Sequence, residues 1–358
     1  MTQTQQKLRI WAFGDAHVGT DLKHGRFSLI DAIQQTEVGT EHSPPFEWDF
    51  AIDIGDMSGG HEVPDDDEGA EVVRQLEALQ FHARESIYSV CGNHDRSGLD
   101  EPDAWWWQKW VDPLGEFPQF SKVDSSKRPY PITGTWERYS FEVGNLLFLM
   151  MSDRNEPSQK IGRGTLGGNP GGVVSAETFT WWQEMIQANS DKIIVSVHHY
   201  MLKNTTVASG EWEGMRKDEN GNWRTHYHGY YPEGTPQGAS YLYWVGGQED
   251  SGAFESYLAN NPSAISVWLG GHTHTNPDDN YGNRTHIEQK WGTWFMNVGA
   301  LTRWHVKRTV VPMSRRLTLI DGSNEILVEC YLHTDQYAPV GWYKPAERRL
   351  TLSKPVQL

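Results

Sequence analysis

Residues 87–95 read IYSVCGNHD, an apolar run that stops at a glycine and is followed at once by three polar side chains. The run is typical of a buried strand, and Gly92 is typical of the tight turn after it. Asn93, His94 and Asp95 then stand at the carboxyl end of that strand, with oxygen and nitrogen atoms of the kind that bind metals. A strand followed by ligand-type residues is the pattern that organises the rest of the chain.

The same pattern recurs after four other short apolar runs. These are Asp15 and His17 after 8–13, Asp56 after 48–54, His198 and His199 after 192–197, and His272 and His274 after 265–269. In open α/β sheets, ligand sites gather at the carboxyl ends of strands, so we expect these five ends to converge. Asp, His and an Asn carbonyl suit Mn, Fe, Zn or Ni better than calcium.

Strand-like and helix-like patterns alternate in the first third of the chain. Phe27, Ile30 and Ile33 recur at helical spacing, and an apolar stripe from Val72 follows the acidic run Asp65–Glu68. Acidic residues favour a helix N-terminus, and we expect this run to be a solvated helix start. The alternation predicts an α/β fold with a mostly buried, partly parallel sheet.

Later segments pair as hairpins. Residues 136–141 and 145–151 flank a turn-like Val-Gly-Asn, and 316–320 and 325–332 flank Asp-Gly-Ser. Such turns between apolar runs predict antiparallel partners at the edges of the fold.

Charge and composition exclude some classes of function. The 358 residues contain 31 Lys and Arg against 47 Asp and Glu, a formal net charge of −16. This balance argues against a nucleic acid duplex as partner, although a bound metal can reverse the local field for a small anion. We expect no membrane partner, since no apolar run approaches the roughly 20 residues of a membrane span.

The expected compartment is the cytoplasm. The first residues, 1–7, are polar and lack the basic region and apolar run of a signal peptide. Cys91 and Cys330 are the only two cysteines, which makes a disulfide framework unexpected.

Taken in order, the motifs D-x-H, GD, GNHD, H and GHxH resemble those of the calcineurin-like metallophosphoesterases. The resemblance extends over about residues 8–333 and implies one domain over 1–358. It implies a four-layer α/β/β/α sandwich of two mixed sheets flanked by helices, with the metal site at the strand C-terminal ends. It also implies a hydrolase in which two divalent or trivalent metal ions clamp a phosphoester that a metal-bridging hydroxide attacks.

The resemblance also assigns roles to residues. Asp56 would bridge the two metals. The other ligands would divide into two sets: Asp15, His17 and His274 at one metal, and Asn93, His198 and His272 at the other. His94 would donate a proton to the leaving group or contact the phosphate, and Asp95 would orient His94 or a ligand.

His198 and His199 compete for one ligand position. Neighbouring side chains at an extended strand end point to opposite faces, so only one of them can reach the metals. We assign the ligand to His198 and expect His199 to orient a ligand or to pack away from the site. The alternative, His199 as ligand, stays open.

Missing signatures narrow the substrate. Asp56 is not followed by the GDxxDRG pattern of Ser/Thr protein phosphatases, and Gly59 stands where purple acid phosphatases carry a ligand tyrosine. The expected partner is a small phosphoester, with a phosphodiester first and a phosphomonoester or nucleotide pyrophosphate as alternatives. A non-catalytic metal-dependent protein and a carbohydrate-binding protein are the hypotheses from other classes. The oligomeric state is not readable from the sequence.

The 17 tryptophans have two expected uses. Trp105–Trp107 with Trp110 favour a helix packed on the sheet over a ligand platform. Residues 202–252 form an aromatic-rich, irregular segment, which we interpret as an insertion or lid, its rings either anchoring it or lining a pocket. The glycine-rich residues 162–172 are expected to form a loop near the substrate.

Overall fold

Strands dominate the computed structural model, which describes residues 5–358 except 42, 61–62, 99, 155–170, 211–214, 218–222, 226–240, 243, 247, 250–251 and 304–309. The strands in chain order are β1 (Lys7–Phe13), β2 (Phe50–Asp53), β3 (Ile87–Ser89), β4 (Thr133–Gly134), β5 (Arg138–Val143), β6 (Leu146–Met151), β7 (Val173–Val174), β8 (Ile193–Val197), β9 (Met215–Lys217), β10 (Trp223–Thr225), β11 (Trp244–Val245), β12 (Gln248–Glu249), β13 (Val267–Gly270), β14 (Ile287–Lys290), β15 (Thr293–Asn297), β16 (Met313–Ile320), β17 (Glu325–Leu332), β18 (Gly341–Trp342) and β19 (Arg348–Thr351).

The α-helices are shorter and fewer. They are α1 (Ser28–Glu37), α2 (Asp66–Leu76), α3 (Trp105–Trp110), α4 (Pro118–Ser121), α5 (Ala176–Ala188) and α6 (Ala253–Asn260). Single 3-10 turns lie at Thr20–His24, Arg84–Ser86, Ser125–Lys127, Tyr281–Asn283 and Lys344–Ala346. In the described ranges, no helix is both long enough and apolar enough to cross a bilayer.

The first large sheet has the strand order β18-β17-β16-β1-β2-β3, with β19 also paired to β17. Strands β1, β2 and β3 are parallel, and β16 joins them antiparallel to β1. Strands β16 and β17 form the antiparallel hairpin expected near the end of the chain. The parallel strands bring the ends of the first three strands to one edge of this sheet.

The second large sheet has the order β14-β15-β13-β8-β6-β5-β4. Its central strands β6, β8, β13 and β15 are parallel, while β5 pairs antiparallel with β6 as expected. Its parallel strands include the two whose ends carry the remaining histidine motifs.

Strand β6 shows how both faces of a sheet are used. Leu146, Phe148 and Met150 pack into a core between the two sheets, where Ile10, Phe50 and Leu317 of the first sheet meet them. The alternate residues of β6 pack outward against α5 and α6, beside Trp182 and Phe254. Because both faces are buried, the strand is apolar throughout rather than alternating.

Helices α1, α2 and α3 cover the outer face of the first sheet. Leu29, Val72 and Trp107 pack there against Trp11 and Phe13 of β1. Helix, sheet, sheet and helix therefore form the four layers that the sequence predicted. The tryptophan cluster lies in α3 and is packed on the sheet as expected, and α2 begins at the acidic run with Asp65 as its N-cap.

Two expectations concern segments that the structure covers only in part. Most of 202–252 lies outside the described residues, including Trp212, Tyr230 and Tyr231, and so does most of 162–172. Near the ends of the first segment, Leu202 and Val245 are buried against the second sheet, and β11 pairs in parallel with β7. The described cysteines, Cys91 and Cys330, are both free and buried.

The core between the sheets yields a stability prediction. Phe148 is fully buried and its ring stacks on Phe141 with centroids 4.6 Å apart. We expect Phe148→Ala to lower the free energy of unfolding by about 3–5 kcal/mol in urea titrations, because it leaves a cavity. Phe81, which is 72% exposed, is the matched control, and Phe81→Ala should change stability by less than about 0.5 kcal/mol. Equal effects would contradict this packing.

Candidate metal centre

The strand ends at the site are tightly turned. Asp15, His17, Asp56 and His272 have positive φ angles of 50°, 36°, 60° and 68°. For residues other than glycine, each such conformation costs on the order of 1–3 kcal/mol and persists only where surrounding contacts enforce it. These strained positions coincide with residues that the motifs singled out.

Gly92 lets one carboxylate approach a neighbouring strand end. A Cβ at Gly92 would lie 2.2 Å from Asp56 Oδ1, which is inside any permitted contact. The glycine of the GNHD motif is therefore required by the close approach of Asp56 as well as by the turn.

Asp15, His17 and His274 form the first group of ligand-type atoms. Asp15 Oδ1 lies 2.9 Å from His274 Nε2 and 4.0 Å from His17 Nε2. The two histidine Nε2 atoms are 3.3 Å apart. All three residues are buried, so the group presents a compact nitrogen and oxygen set to its centre.

Asp56, His199 and His272 form a second group, and Asp56 also joins His17 and His94 in a third. Asp56 Oδ2 lies 3.2 Å from His199 Nε2 and 3.7 Å from His17 Nε2. His199 Nε2 is 3.3 Å from His272 Nδ1. Asp56 is therefore the carboxylate common to both sides of the site, the position expected of a bridging ligand.

Backbone carbonyls fix the ring nitrogens that face these carboxylates. His17 Nδ1 is 2.8 Å from Ser58 O, and His199 Nδ1 is 2.8 Å from Ile54 O. A carbonyl only accepts, so Nδ1 carries the proton in both rings and Nε2 of the neutral ring presents a lone pair. Lone pairs facing the carboxylate of Asp56 repel it unless a cation lies between them or a ring is protonated.

The pKa values of His17 and His199 are shifted in opposite directions. Burial holds the pKa of His17 well below its usual value. Burial also lowers the pKa of His199, but the Asp56 carboxylate outweighs it and raises that pKa to about 10. The protein alone thus has to place a proton among these atoms to balance the carboxylate, a role that a metal ion fills directly.

Among the described residues, the ligand-type group next to Asp56 and His272 contains His199, the alternative left open by the sequence, and not His198, to which the ligand position was assigned. The reason is the alternation of β8. Val195 and Val197 face the core between the sheets, whereas Ser196 faces outward and accepts a hydrogen bond from Trp182 Nε1. By the same alternation His198 faces outward, as Ser196 does, and its Nδ1 accepts a hydrogen bond from the Tyr200 backbone N–H. Burial lowers the pKa of His198 to about 3.

Asn93 and His94 follow β3 at the same edge. Asn93 is buried, and within the described part of the chain its Oδ1 accepts no hydrogen bond. An orphaned buried carbonyl oxygen fits a ligand that binds a cation. His94 donates its backbone N–H to Asp56 Oδ1 at 2.8 Å, and its Nδ1 lies 2.5 Å from Gly60 O.

Asp95 holds the loops rather than touching an imidazole. Its carboxylate accepts backbone N–H groups from Asp56, Ser58 and Gly92 at 2.8–2.9 Å. These bonds join the ends of β2 and β3, so Asp95 fixes the backbone that carries Asp56. Burial and the neighbouring Asp56 carboxylate raise the pKa of Asp95 to about 7.

Asp153 is a residue at this edge that the motifs did not reveal. It follows β6, and its Oδ1 accepts the N–H groups of Gly172 and Val173 while Oδ2 lies 3.6 Å from Arg96 Nε. The sequence feature that could have indicated it is its position directly after the buried strand β6. Because β6 is parallel to β8, their ends lie at the same edge of the sheet.

The acidic run before α2 starts a helix as predicted, and Asp65, Asp66 and Asp67 are exposed to solvent. Asp66 also pairs with Lys109. Glu68 is the half-buried member of the run, and its Oε1 accepts hydrogen bonds from Ser58, Gly59 and Gly60. Glu68 reaches the loop that supports His17 and His94.

The donor set matches a transition-metal site. It combines carboxylates, imidazoles fixed by carbonyl partners, and an amide oxygen, which is a set suited to Mn, Fe, Zn or Ni. Asp56 is shared by the group with His199 and His272 and the group with His17 and His94.

The geometry predicts which of the adjacent histidines affects metal content. We expect His199→Ala to lower the bound metal measured by elemental analysis, because Nε2 of His199 lies in the cluster. His198→Ala should retain the metal content of the unmodified protein, with far-UV circular dichroism as the check on folding for both. His198→Asn, which keeps an acceptor for the Tyr200 N–H, replaces it if the alanine variant does not fold. If a folded His198 variant lost its metal while the His199 variant kept it, the expectation that His199 is the ligand would be contradicted.

The family model described as calcineurin-like phosphoesterase matches residues 8–276. Similar solved structures include a conserved uncharacterized protein from Streptococcus pneumoniae, described as a predicted phosphoesterase (TM-score 0.35, 11% identity, covering 97% of this chain and 99% of that one). Another is GAP50, the anchor in the inner membrane complex of Plasmodium (TM-score 0.46, 11% identity, 98% and 90% covered). A third is Vacuolar Protein Sorting 29 from Cryptosporidium parvum (TM-score 0.37, 11% identity, 96% and 98% covered).

A search of curated proteins finds no matching sequence. The family model nevertheless spans most of the chain and contains every motif from Asp15 to His274. The chain therefore belongs to the calcineurin-like phosphoesterase family.

Proposed function

We propose that this protein is a hydrolase that uses two metal ions to cleave a small phosphodiester. The observation that carries the proposal is the position of Asp56, whose carboxylate belongs to ligand-type groups on both sides of the site. A shared carboxylate fixes the separation of two ions, which is the arrangement that phosphoester hydrolysis requires.

The residues that would hold the ions are those of the two groups, with Asn93 added because its buried Oδ1 has no hydrogen-bond partner among the described residues. Around the shared Asp56, the first ion would have Asp15, His17 and His274, and the second would have Asn93, His199 and His272. Two such ions lower the pKa of a water molecule, neutralise the phosphate oxygens and stabilise the leaving oxygen. Mn, Fe, Zn and Ni all suit these ligands, so availability decides which metal is bound.

His94 is placed to move a proton. Its Nδ1–H is directed at Gly60 O, so Nε2 is the atom that can hold a proton and deliver it to a leaving oxygen. His94 is 6% exposed, whereas Asp15 and His17 are completely buried. His272 and His274 are exposed to a similar extent, at 6% and 5%, so a substrate would approach the cluster where these two rings and His94 reach the surface.

Burial of the proposed ligands strengthens the electrostatic interactions at the site. Asp15, His17 and His199 are enclosed by protein, which keeps water away from the carboxylates and lowers the local dielectric constant. Fixed dipoles in such surroundings stabilise developing charge without reorganising during the reaction.

Charge supports a diester over a monoester. A diester carries one negative charge at neutral pH and a monoester carries up to two, and the chain has a net charge of −16. Arg96, a basic side chain beside Asn93, is engaged with Asp153 and the carbonyl of Arg154. Phosphomonoester and nucleotide pyrophosphate hydrolysis are the alternative activities for the same site.

A direct test uses bis(p-nitrophenyl) phosphate with Mn²⁺. We expect metal-dependent release of p-nitrophenolate and loss to background for Asp56→Asn. His94→Asn should lower kcat by about 10²–10⁴-fold for an alkyl diester, whose poor leaving group needs a proton, and by less for the p-nitrophenyl diester. Asp67→Asn is the control, because Asp67 is an exposed acidic residue near the start of α2.

A substrate panel of diesters, cyclic phosphates, monoesters and nucleotide pyrophosphates then separates the alternatives. A higher kcat/KM for monoesters would replace the diester assignment. Absence of turnover on the whole panel by protein that has bound metal would refute the proposed activity and favour a non-catalytic metal-dependent role.

A further inference from the structure

We propose that Glu68 is a positioning residue that fixes the orientation and tautomer of both His17 and His94 through the loop 58–60. Glu68 lies in the first turn of α2 and touches neither imidazole in the contacts described above. Its effect is carried by backbone groups, and the inference deepens the proposed function by naming what supports its proton-transfer residue.

One oxygen of Glu68 gathers three donors from this loop. Oε1 accepts the Ser58 hydroxyl at 3.1 Å and the backbone N–H groups of Gly59 and Gly60 at 3.0 Å each. A carboxylate that accepts several hydrogen bonds holds its donors more firmly than a neutral acceptor does.

The carbonyls of the same loop accept from the two histidines. Ser58 O lies 2.8 Å from His17 Nδ1, and Gly60 O lies 2.5 Å from His94 Nδ1. In a planar trans peptide, the C=O of Ser58 and the N–H of Gly59 point in opposite directions. Glu68 therefore directs the Ser58 carbonyl toward His17 by holding the other side of the same peptide unit.

The loop needs this support because of its sequence. Gly59 and Gly60 have no side chains to restrict their backbone, so the free loop samples many orientations. Asp95 fixes only the beginning of the loop, through the Ser58 N–H at 2.9 Å. Glu68 supplies the second anchor, beyond the serine, where the carbonyl for His94 lies.

Glu68 is itself held independently of the metal ligands. Its backbone N–H donates to the Asp65 side chain at 2.9 Å, which caps α2, and α2 packs against α1 and α3. Helix α2 thus holds the Glu68 carboxylate, the carboxylate holds the loop 58–60, and the loop holds the rings of His17 and His94. The Ser58–Gly59 peptide, which donates to the Glu68 carboxylate, is also polarised, and this makes the Ser58 carbonyl a stronger acceptor for the His17 N–H.

The test compares Glu68→Ala and Glu68→Asp with two controls. Glu68→Asp keeps the charge at the helix start but shortens the side chain by one methylene. It should therefore lose the hydrogen bonds to the loop 58–60 while α2 stays folded. Glu68→Gln keeps the length and an acceptor oxygen. Asp67→Ala removes a neighbouring exposed acidic residue of the same turn.

The first readout is the tautomer of the histidine rings in metal-free protein. Long-range ¹H–¹⁵N correlation with labelled histidine at about pH 8, where an imidazole is ordinarily neutral, distinguishes Nδ1–H from Nε2–H. We expect Nδ1–H for His17 and His94 in unmodified protein, Asp67→Ala and Glu68→Gln, and a mixture of tautomers in Glu68→Ala and Glu68→Asp. His94→Asn assigns the His94 signals. Unchanged tautomers in folded Glu68→Ala or Glu68→Asp would overturn the inference, whatever the protein's activity.

The second readout rests on the proposed hydrolysis. If His94 protonates the leaving oxygen, Glu68→Asp should reduce kcat about tenfold more for diesters with poor leaving groups than for p-nitrophenyl diesters. A uniform reduction across leaving groups would mean a general structural role and would also overturn the inference. Failure of unmodified protein to hydrolyse any phosphoester would refute the proposed function, while the tautomer measurement would still decide the role of Glu68.

Discussion

The carboxylate of Asp56 is the element on which the rest of the site depends. It has a backbone N–H held by Asp95, an Oδ1 held by the His94 N–H, and an Oδ2 facing the rings of His199 and His17. Its backbone is in a strained conformation and the next strand end approaches it at Gly92, where no side chain fits. A buried anion fixed this firmly among imidazole rings needs positive charge beside it, which a protonated ring or a metal ion supplies.

Much of this could be predicted because the chemistry lies next to the strands. Each motif follows an apolar run, and parallel strands in one sheet end together, so Asp15, Asp56, Asn93, His272 and His274 could be placed without coordinates. The choice between His198 and His199 could not be made in this way. Both faces of β8 are buried, so the sequence around it does not reveal which face meets the first sheet, and Ser196 was the single polar marker of the outward phase.

Long-range supports were beyond prediction for a different reason. Glu68 and Asp153 act on backbone groups, and a backbone donor leaves no trace in the sequence. Glu68 stands in an acidic run that is explained equally well by helix capping, and Asp153 has no histidine beside it. The composition does not reveal where the acidic residues lie. Several of the residues that contribute to the net charge of −16 are buried at the site, where their negative charge favours a bound cation.

The group of Asp15, His17 and His274 and the group of Asp56, His199 and His272 each draw on both large sheets. Asp15 and His17 follow β1 while His274 follows β13, and Asp56 follows β2 while His199 and His272 come from the second sheet. An ion held by either group therefore cross-links the two halves of the sandwich at one edge. Because the unfolded chain does not bring these residues together, a metal ion bound at either group would be thermodynamically linked to the packing of the two sheets and would stabilise the folded protein.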